Sequence, residues 1–177
     1  MSPSPPSTHP LEFLVGTWVG KGRGFYPTIR EFHFLDEITF TKDPACQPVV
    51  AYSEKAFRAI PAADSNGQPT PGPALHAENG YIRLPDWSGS TYELILCLPA
   101  GVACVELGTI KGSVVQWASA QIIRSPGAPP PDITEFTRTW TVDPEAKTLK
   151  YLFSMGTERT PLTPHPEVHL KKVETQA

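Results

Sequence analysis

Long apolar runs and charge of one sign are both missing from this 177-residue sequence. No stretch approaches the roughly 20 apolar residues that cross a bilayer, and the start MSPSPPSTHP lacks the basic end and apolar segment of a secretory signal. Lys and Arg number 15 against 18 Asp and Glu, so the net charge of -3 provides no basic field for phosphates. We therefore expect a cytoplasmic protein with neither nucleic acid nor membrane as a partner.

Cysteine is scarce, with three residues that have no metal-type spacing. Cys97 and Cys104 fall in apolar surroundings typical of strands, whereas Cys46 follows a polar stretch. Buried, reduced thiols are the expectation for Cys97 and Cys104. A bridge between these two across a hairpin is the alternative, although cytosolic proteins rarely keep one.

Familiar catalytic motifs are also lacking. The sequence has no G-x-S-x-G, no H-E-x-x-H and no Cys with a nearby His, so hydrolase and zinc-protease functions have no support. Carboxylates such as Asp36, Glu37 and Glu78 are scattered along the chain. A solvated strand face is the expected environment for these three.

Alternation of apolar and polar residues dominates the remainder of the chain. Between residues 147 and 155, apolar side chains occupy every second position, which is typical of a half-buried antiparallel strand. The same pattern predicts further strands at 32–41, 49–58, 76–83, 91–98, 102–110, 114–124, 134–142 and 165–173. Only residues 10–15 look like a helical turn, which could plug one end of a barrel.

Proline marks the predicted boundaries. Residues 1–10 are rich in Pro and Ser and are expected to form a disordered tail before a single domain at 11–177. Proline also concentrates at 61–73, 125–132 and 161–166, which we predict to be loops because proline cannot donate a ladder hydrogen bond.

Many short strands without crossover helices indicate an all-β sandwich or barrel. The barrel is favoured because the inward faces of the predicted strands are apolar or small, and closure removes sheet edges that the sequence does little to protect. A barrel with an apolar interior commonly holds one small ligand. The residues alone do not name that ligand.

The glycine-rich opening GTWVGKGRG runs into another predicted strand rather than a helix. It is therefore not a dinucleotide fingerprint, and its glycines are predicted to lie where the first strand bends or its backbone approaches a neighbour.

Five histidines occur, at His9, His33, His76, His165 and His169. Only His165 has a distinctive context, because prolines at 164 and 166 restrict the backbone on both sides. A rigid imidazole at a barrel rim suits either an axial ligand or a plain capping residue.

Beyond the tail, the chain resembles the nitrobindin family of haem-binding barrels along nearly its whole length. The segment GTWVGKGRGFYPTI is similar to the family's G-x-W-x-G-x-G opening and Y-P-T-I loop. FHFLDEITF resembles its second strand, ALHAENGYIR resembles its H-A-E-x-G-Y segment, and the final P-L-x-P-H run ends at His165.

This resemblance implies a closed, antiparallel, ten-stranded up-and-down barrel related to fatty-acid-binding proteins. It also implies one ferric haem b per chain at an open end, with His165 as the iron ligand and no catalytic residue beyond the haem iron. The positions expected to bind the haem are Thr28, Ile29, Phe32, Leu75, His76, Ile133, Met155 and His165.

The functional expectation from the family is binding of nitric oxide and isomerisation of peroxynitrite to nitrate, which would make the protein a peroxynitrite isomerase. Nitric oxide and peroxynitrite are then its small-molecule ligands, and a homodimer is allowed. Two alternatives stay open: a haem-free carrier of a small apolar ligand, and a haem-based nitric-oxide sensor or store without catalysis.

Overall fold

The computed structural model describes residues 10–42, 49–61, 67–85 and 90–174. The predicted tail up to residue 9, with His9, and the cysteine at position 46 lie outside these ranges. Within them, no helix is both long and apolar enough to cross a membrane.

Ten strands close into one barrel, which confirms the predicted fold class. Each strand pairs antiparallel with the next in sequence, and the first pairs with the last. A 3₁₀ turn, η1 (Glu12–Leu14), precedes the strands β1 (Gly16–Tyr26), β2 (Ile29–Lys42), β3 (Val49–Ile60), β4 (Thr70–Arg83), β5 (Thr91–Leu98), β6 (Val102–Lys111), β7 (Val114–Arg124), β8 (Ile133–Asp143), β9 (Thr148–Thr157) and β10 (Thr160–Lys172).

One proline-rich segment and the end of another are strands rather than loops. The prediction for 161–166 is wrong because β10 already begins at Thr160, and the predicted loop 61–73 is too long because β4 begins at Thr70. The register between β9 and β10 shifts twice in this region, and β4 pairs with β5 only from Asn79 onward. Bulges and one-sided pairing leave backbone positions where no ladder donor is needed, so proline is tolerated there.

The end of the barrel nearest η1 is closed by packed side chains. Trp18 is almost fully buried, and its indole Nε1 donates a hydrogen bond to the carbonyl oxygen of Leu14 at 2.7 Å. Leu11 and Leu14 are buried beneath this turn. The turn predicted at 10–15 therefore plugs one end of the barrel and leaves the other end available for a ligand.

The glycines of β1 allow aromatic rings of β2 to lie against its backbone. A Cβ at Gly22 would lie 2.2 Å from the Phe34 ring, and one at Gly24 would lie 2.4 Å from the Phe32 ring. Contacts this short are sterically forbidden, so only glycine fits. The structural interpretation of the glycine-rich opening is confirmed, and its consequence is that Phe32 and Phe34 can line the interior.

Cys97 and Cys104 are both free, but they lie on opposite faces of the barrel wall. Cys104 is buried opposite Leu96, while Cys97 is exposed opposite Ala103. The expectation of a buried thiol is thus wrong for Cys97, because the two-residue period of β5 turns it outward. The same opposed orientation excludes the hairpin disulfide.

Candidate functional site

The end of the barrel opposite η1 contains a cavity of about 310 Å³. Its outer part is mainly apolar, and its inner part is polar. The outer part is lined by Phe32, Leu75, Leu98, Ile133, Phe153, Met155 and His165, and the inner part by Glu54, His76, Glu78, Arg138 and Tyr151.

Six of the eight predicted haem-binding residues lie together on this cavity. They are Phe32, Leu75, His76, Ile133, Met155 and His165. Thr28 is in the turn between β1 and β2, Ile29 begins β2, and both are exposed and absent from the cavity lining. Contact of any of the eight residues with a haem remains a prediction.

His165 lies within β10, at the bulge between Pro164 and Glu167, rather than at the entrance to the strand. Its Nδ1 is 2.9 Å from the backbone carbonyl oxygen of Phe25 on β1. A carbonyl oxygen can only accept, so Nδ1 carries the proton and the lone pair of Nε2 is free. This orients the imidazole as a metal ligand, since ligating histidines commonly donate their other N–H in this way.

Aromatic contacts hold the same imidazole from the side. The ring of Tyr26 meets His165 edge-on, with centroids 5.3 Å apart, and Phe153 is 6.4 Å away. The Tyr26 hydroxyl donates to the carbonyl oxygen of Met155 at 3.1 Å, which ties β1 to β9. Burial lowers the pKa of His165 despite the opposing effect of the Phe25 carbonyl. The imidazole is therefore neutral at pH 7, which is its metal-binding form.

These features fit a haem. A neutral, oriented imidazole provides an axial nitrogen, and the apolar outer walls provide a surface suited to a porphyrin. The cavity opens at the barrel end, so the polar edge of a porphyrin can remain in water.

The inner part of the cavity contradicts the expectation of an apolar interior. Arg138 is buried and donates to Glu106 through Nε at 3.0 Å and Nη2 at 2.8 Å. Its Nη1 also donates to Glu78 Oε1 at 2.5 Å. Burial of a guanidinium is tolerated when it is paired in this way.

Tyrosine hydroxyls extend this polar layer to the other side of the barrel. Tyr52 contacts both Glu54 and Glu78, at 2.5 and 2.6 Å. Tyr151 donates to Glu54 at 2.9 Å and approaches Asp36 at 3.2 Å. The expectation of solvated carboxylates is therefore wrong for Asp36 and Glu78, although Glu37 is exposed as predicted.

The pKa values of this layer follow from burial and from distance to the single guanidinium. Burial and the neighbouring Glu78 raise the pKa of Glu54 to about 7, and burial and Glu54 raise the pKa of Asp36. Burial also raises the pKa of Glu106. Burial would raise the pKa of Glu78 as well, but Arg138 and His76 together hold it well below its usual value. Burial would lower the pKa of His76, but the carboxylates of Glu78 and Glu54 raise it overall.

The sequence contained a signal for these residues that residue type alone did not reveal. Asp36 lies between the buried Phe34 and Ile38, and Arg138 lies between the buried Phe136 and Trp140. Because alternate residues of a strand share a face, Asp36 and Arg138 point to the same side of the sheet as their buried apolar neighbours.

A closed ten-stranded barrel with an oriented, neutral histidine in an apolar-walled cavity defines a haem-binding β-barrel. The sequence profile of the family described as "THAP4-like, heme-binding beta-barrel domain" matches residues 7–172. The chain belongs to this family, the nitrobindin family, as the resemblance predicted.

Curated relatives cover nearly the whole chain. One named peroxynitrite isomerase 1, from Mycolicibacterium paratuberculosis, is 33% identical over 169 residues, covering 91% of this chain and 94% of that protein. A protein of the same name from Mycobacterium tuberculosis is 32% identical over 167 residues, covering 90% and 91%. The crystal structure of Rv2717c from M. tuberculosis superposes with a TM-score of 0.75 at 30% identity, covering 93% of this chain and 95% of that one.

Proposed function

We propose that this protein holds one ferric haem b per chain through His165, binds nitric oxide, and isomerises peroxynitrite to nitrate. The observation that carries the proposal is the hydrogen bond from His165 Nδ1 to the Phe25 carbonyl, which leaves Nε2 free inside the cavity. Relatives named peroxynitrite isomerase support the choice of reaction.

The chain's own residues have three tasks in this function. His165 would hold the haem iron through Nε2, and Tyr26 and Phe25 fix the orientation of the imidazole. Phe32, Leu75, Ile133 and Met155 restrict water around the bound haem. When bound, the ferric haem supplies an electrophilic iron with a coordination position for a small ligand, and the protein contributes the shaped cavity.

The apolar outer wall suits nitric oxide better than dioxygen. It presents few hydrogen-bond donors, on which stable dioxygen binding relies. Confinement by Phe32 and Ile133 would also keep the reacting atoms of peroxynitrite together until nitrate has formed. Thr28 and Ile29 belong to the proposal as further haem contacts from the β1–β2 turn.

The polar inner layer disfavours the carrier alternative. An apolar ligand filling the cavity would remove water from the half-open His76 without replacing its hydrogen bonds, at a cost of roughly 1–3 kcal/mol. Arg138 is already neutralised by two carboxylates, so it is not available to a ligand's carboxylate.

Stopped-flow mixing with peroxynitrite tests the reaction. The ferric haem form should accelerate decay and raise the nitrate yield, while the haem-free form should not, and cyanide saturation of the iron should abolish the acceleration. Lys150→Arg, on the exposed face of β9, serves as a control that should leave the rate unchanged. Equal rates with and without haem would leave nitric-oxide storage or sensing as the better function.

The proposal also includes a cytoplasmic location and allows a homodimer. Sedimentation of the haem-loaded protein at several concentrations tests whether the homodimer forms.

A further inference from the structure

We propose that Glu54, His76 and Glu78 form a binding site for one divalent transition-metal ion of the zinc class on the inner floor of the cavity. Each residue offers one ligand atom, and these three atoms all lie within 4.8 Å of one another. Ligands bonded at about 2.1 Å lie at most about 4.2 Å apart, so a small rotation of the side chains completes the geometry. The site shares its cavity with the proposed haem, for which His76 is also a predicted contact, but it does not use His165.

The barrel wall holds the three ligands in place. Glu54 on β3 is directly opposite Glu78 on β4, and His76 is two residues before Glu78 on the same face. Like charges directly opposite on neighbouring strands destabilise a sheet. A pair of facing glutamates is therefore an unfavourable arrangement unless a cation lies between or beside them.

The available protein cation is already committed elsewhere. Arg138 pairs with Glu106 and with Glu78, and within the described residues Glu54 receives only tyrosine hydroxyls. Buried carboxylates at 36, 54, 78 and 106 thus outnumber the one guanidinium that is buried in the described part of the chain, where Asp36 Oδ1 also finds no hydrogen-bond partner. Besides Arg138, only His76 when protonated can offset these carboxylates within the described part of this layer, and a divalent ion would add positive charge where two of them meet.

His76 makes the site accessible and sets its metal preference. Its side chain lines the cavity and is 42% exposed, and its Nε2 is 3.7 Å from Glu78 Oε2, too far for a good hydrogen bond. An imidazole with two carboxylates suits zinc-class ions, whereas calcium and magnesium prefer oxygen alone. With three protein ligands, a fourth position faces the cavity and is free for water or a small ligand.

Co²⁺ is the probe that reads this site directly, because its visible absorption reports coordination number. Chelator-treated, haem-free protein should bind one equivalent of Co²⁺ with four- or five-coordinate bands, and Zn²⁺ should displace it. Glu54→Gln and His76→Ala should each weaken Co²⁺ binding by at least about 100-fold, since losing a mere outer-shell partner costs 10- to 100-fold.

Two control variants separate this site from other histidines. His33→Ala removes an exposed imidazole on β2, and His165→Ala removes the imidazole at the outer part of the same cavity. Both should keep Co²⁺ binding and its bands, although His165→Ala should lose tight hemin binding. Loss of Co²⁺ binding in His165→Ala would overturn the proposal, because it would show that the ion binds at His165 instead.

Melting curves check that the variants fold. If Glu54→Gln does not fold, His76→Ala is the deciding variant, because the His76 side chain is half open and belongs to no tight ion pair. An anomalous diffraction peak from a Zn²⁺-soaked crystal should lie between Glu54, His76 and Glu78. Absence of stoichiometric Co²⁺ binding would refute the site and would mean that Arg138, His76 and bound protons balance the buried carboxylates.

Discussion

Replacing Arg138 by methionine should lower the free energy of unfolding more than replacing any exposed residue. The side chain is 4% exposed and makes charge-assisted hydrogen bonds to both Glu78 and Glu106, so Arg138→Met leaves two buried carboxylates without their counter-charge. Breaking a buried ion pair from one side costs about 3–5 kcal/mol. For a chain of this size, that corresponds to a fall in melting temperature of roughly 6–20 °C.

The loss should depend on pH in a definite direction. In the native protein, burial would raise the pKa of Glu78, but Arg138 and His76 together hold it well below 4.5, so this stabilisation is present above pH 4.5 and is lost only in stronger acid. Removing Arg138 should raise the pKa of both Glu78 and Glu106 relative to the native protein, so the variant should lose stability as pH rises. The difference between the two proteins should therefore be larger at pH 8 than at pH 5.

Urea denaturation followed by circular dichroism at both pH values measures this difference. Arg23→Met is the matched control, because Arg23 is 48% exposed and its ion pairs with Glu31 and Glu167 are worth less than about 1 kcal/mol. Adding Glu78→Gln and Glu106→Gln to Arg138→Met should restore much of the stability. A loss below about 1 kcal/mol, or one equal at both pH values, would refute the buried-triad argument.

Three further changes test the layers above and below. Asp36→Asn should make stability less dependent on pH. Burial and Glu54 raise the native pKa of Asp36, so this carboxyl makes the parent protein lose stability as pH rises above 3.8, whereas a neutral amide does not. An equal dependence of stability on pH in the two proteins from pH 4 to 8 would contradict this. Gly24→Ala should lower the free energy of unfolding by about 1–3 kcal/mol and weaken hemin binding, because the added methyl group would push the Phe32 ring into the cavity. An unchanged hemin titration and melting temperature would show that the ring has room to move. Trp18→Phe should cost about 1–3 kcal/mol by leaving the Leu14 carbonyl unpaired, yet hemin affinity should be unchanged because that turn is at the opposite end of the barrel.

The barrel was predictable because its strands alternate clearly and its turns contain the expected residues. The bounds of β5 and β7 agree with the sequence prediction, whereas the start of β10 does not. That start was missed because three prolines argued for a loop, while the structure accommodates them at register shifts between β9 and β10. Local sequence does not reveal which backbone positions lack a ladder partner.

The site was predicted in part. His165 and the apolar wall came from the family resemblance, and six of the eight positions lie on one cavity. The buried polar layer was missed because a single carboxylate on a strand, such as Glu106, is more often solvated. Only the assembled barrel brings Glu106 beside Arg138, from strands 32 residues apart in sequence.

Hemin titration of the parent protein and of His165→Ala, followed through the Soret band, tests the central claim most directly. The haem-free parent should take up one equivalent of hemin tightly and develop an intense Soret band. His165→Ala should keep the circular dichroism of a folded barrel but lose tight binding, because Nε2 of His165 is the proposed bond to iron. Equal affinity and an unchanged Soret band in His165→Ala would contradict the assignment of His165 as the iron ligand.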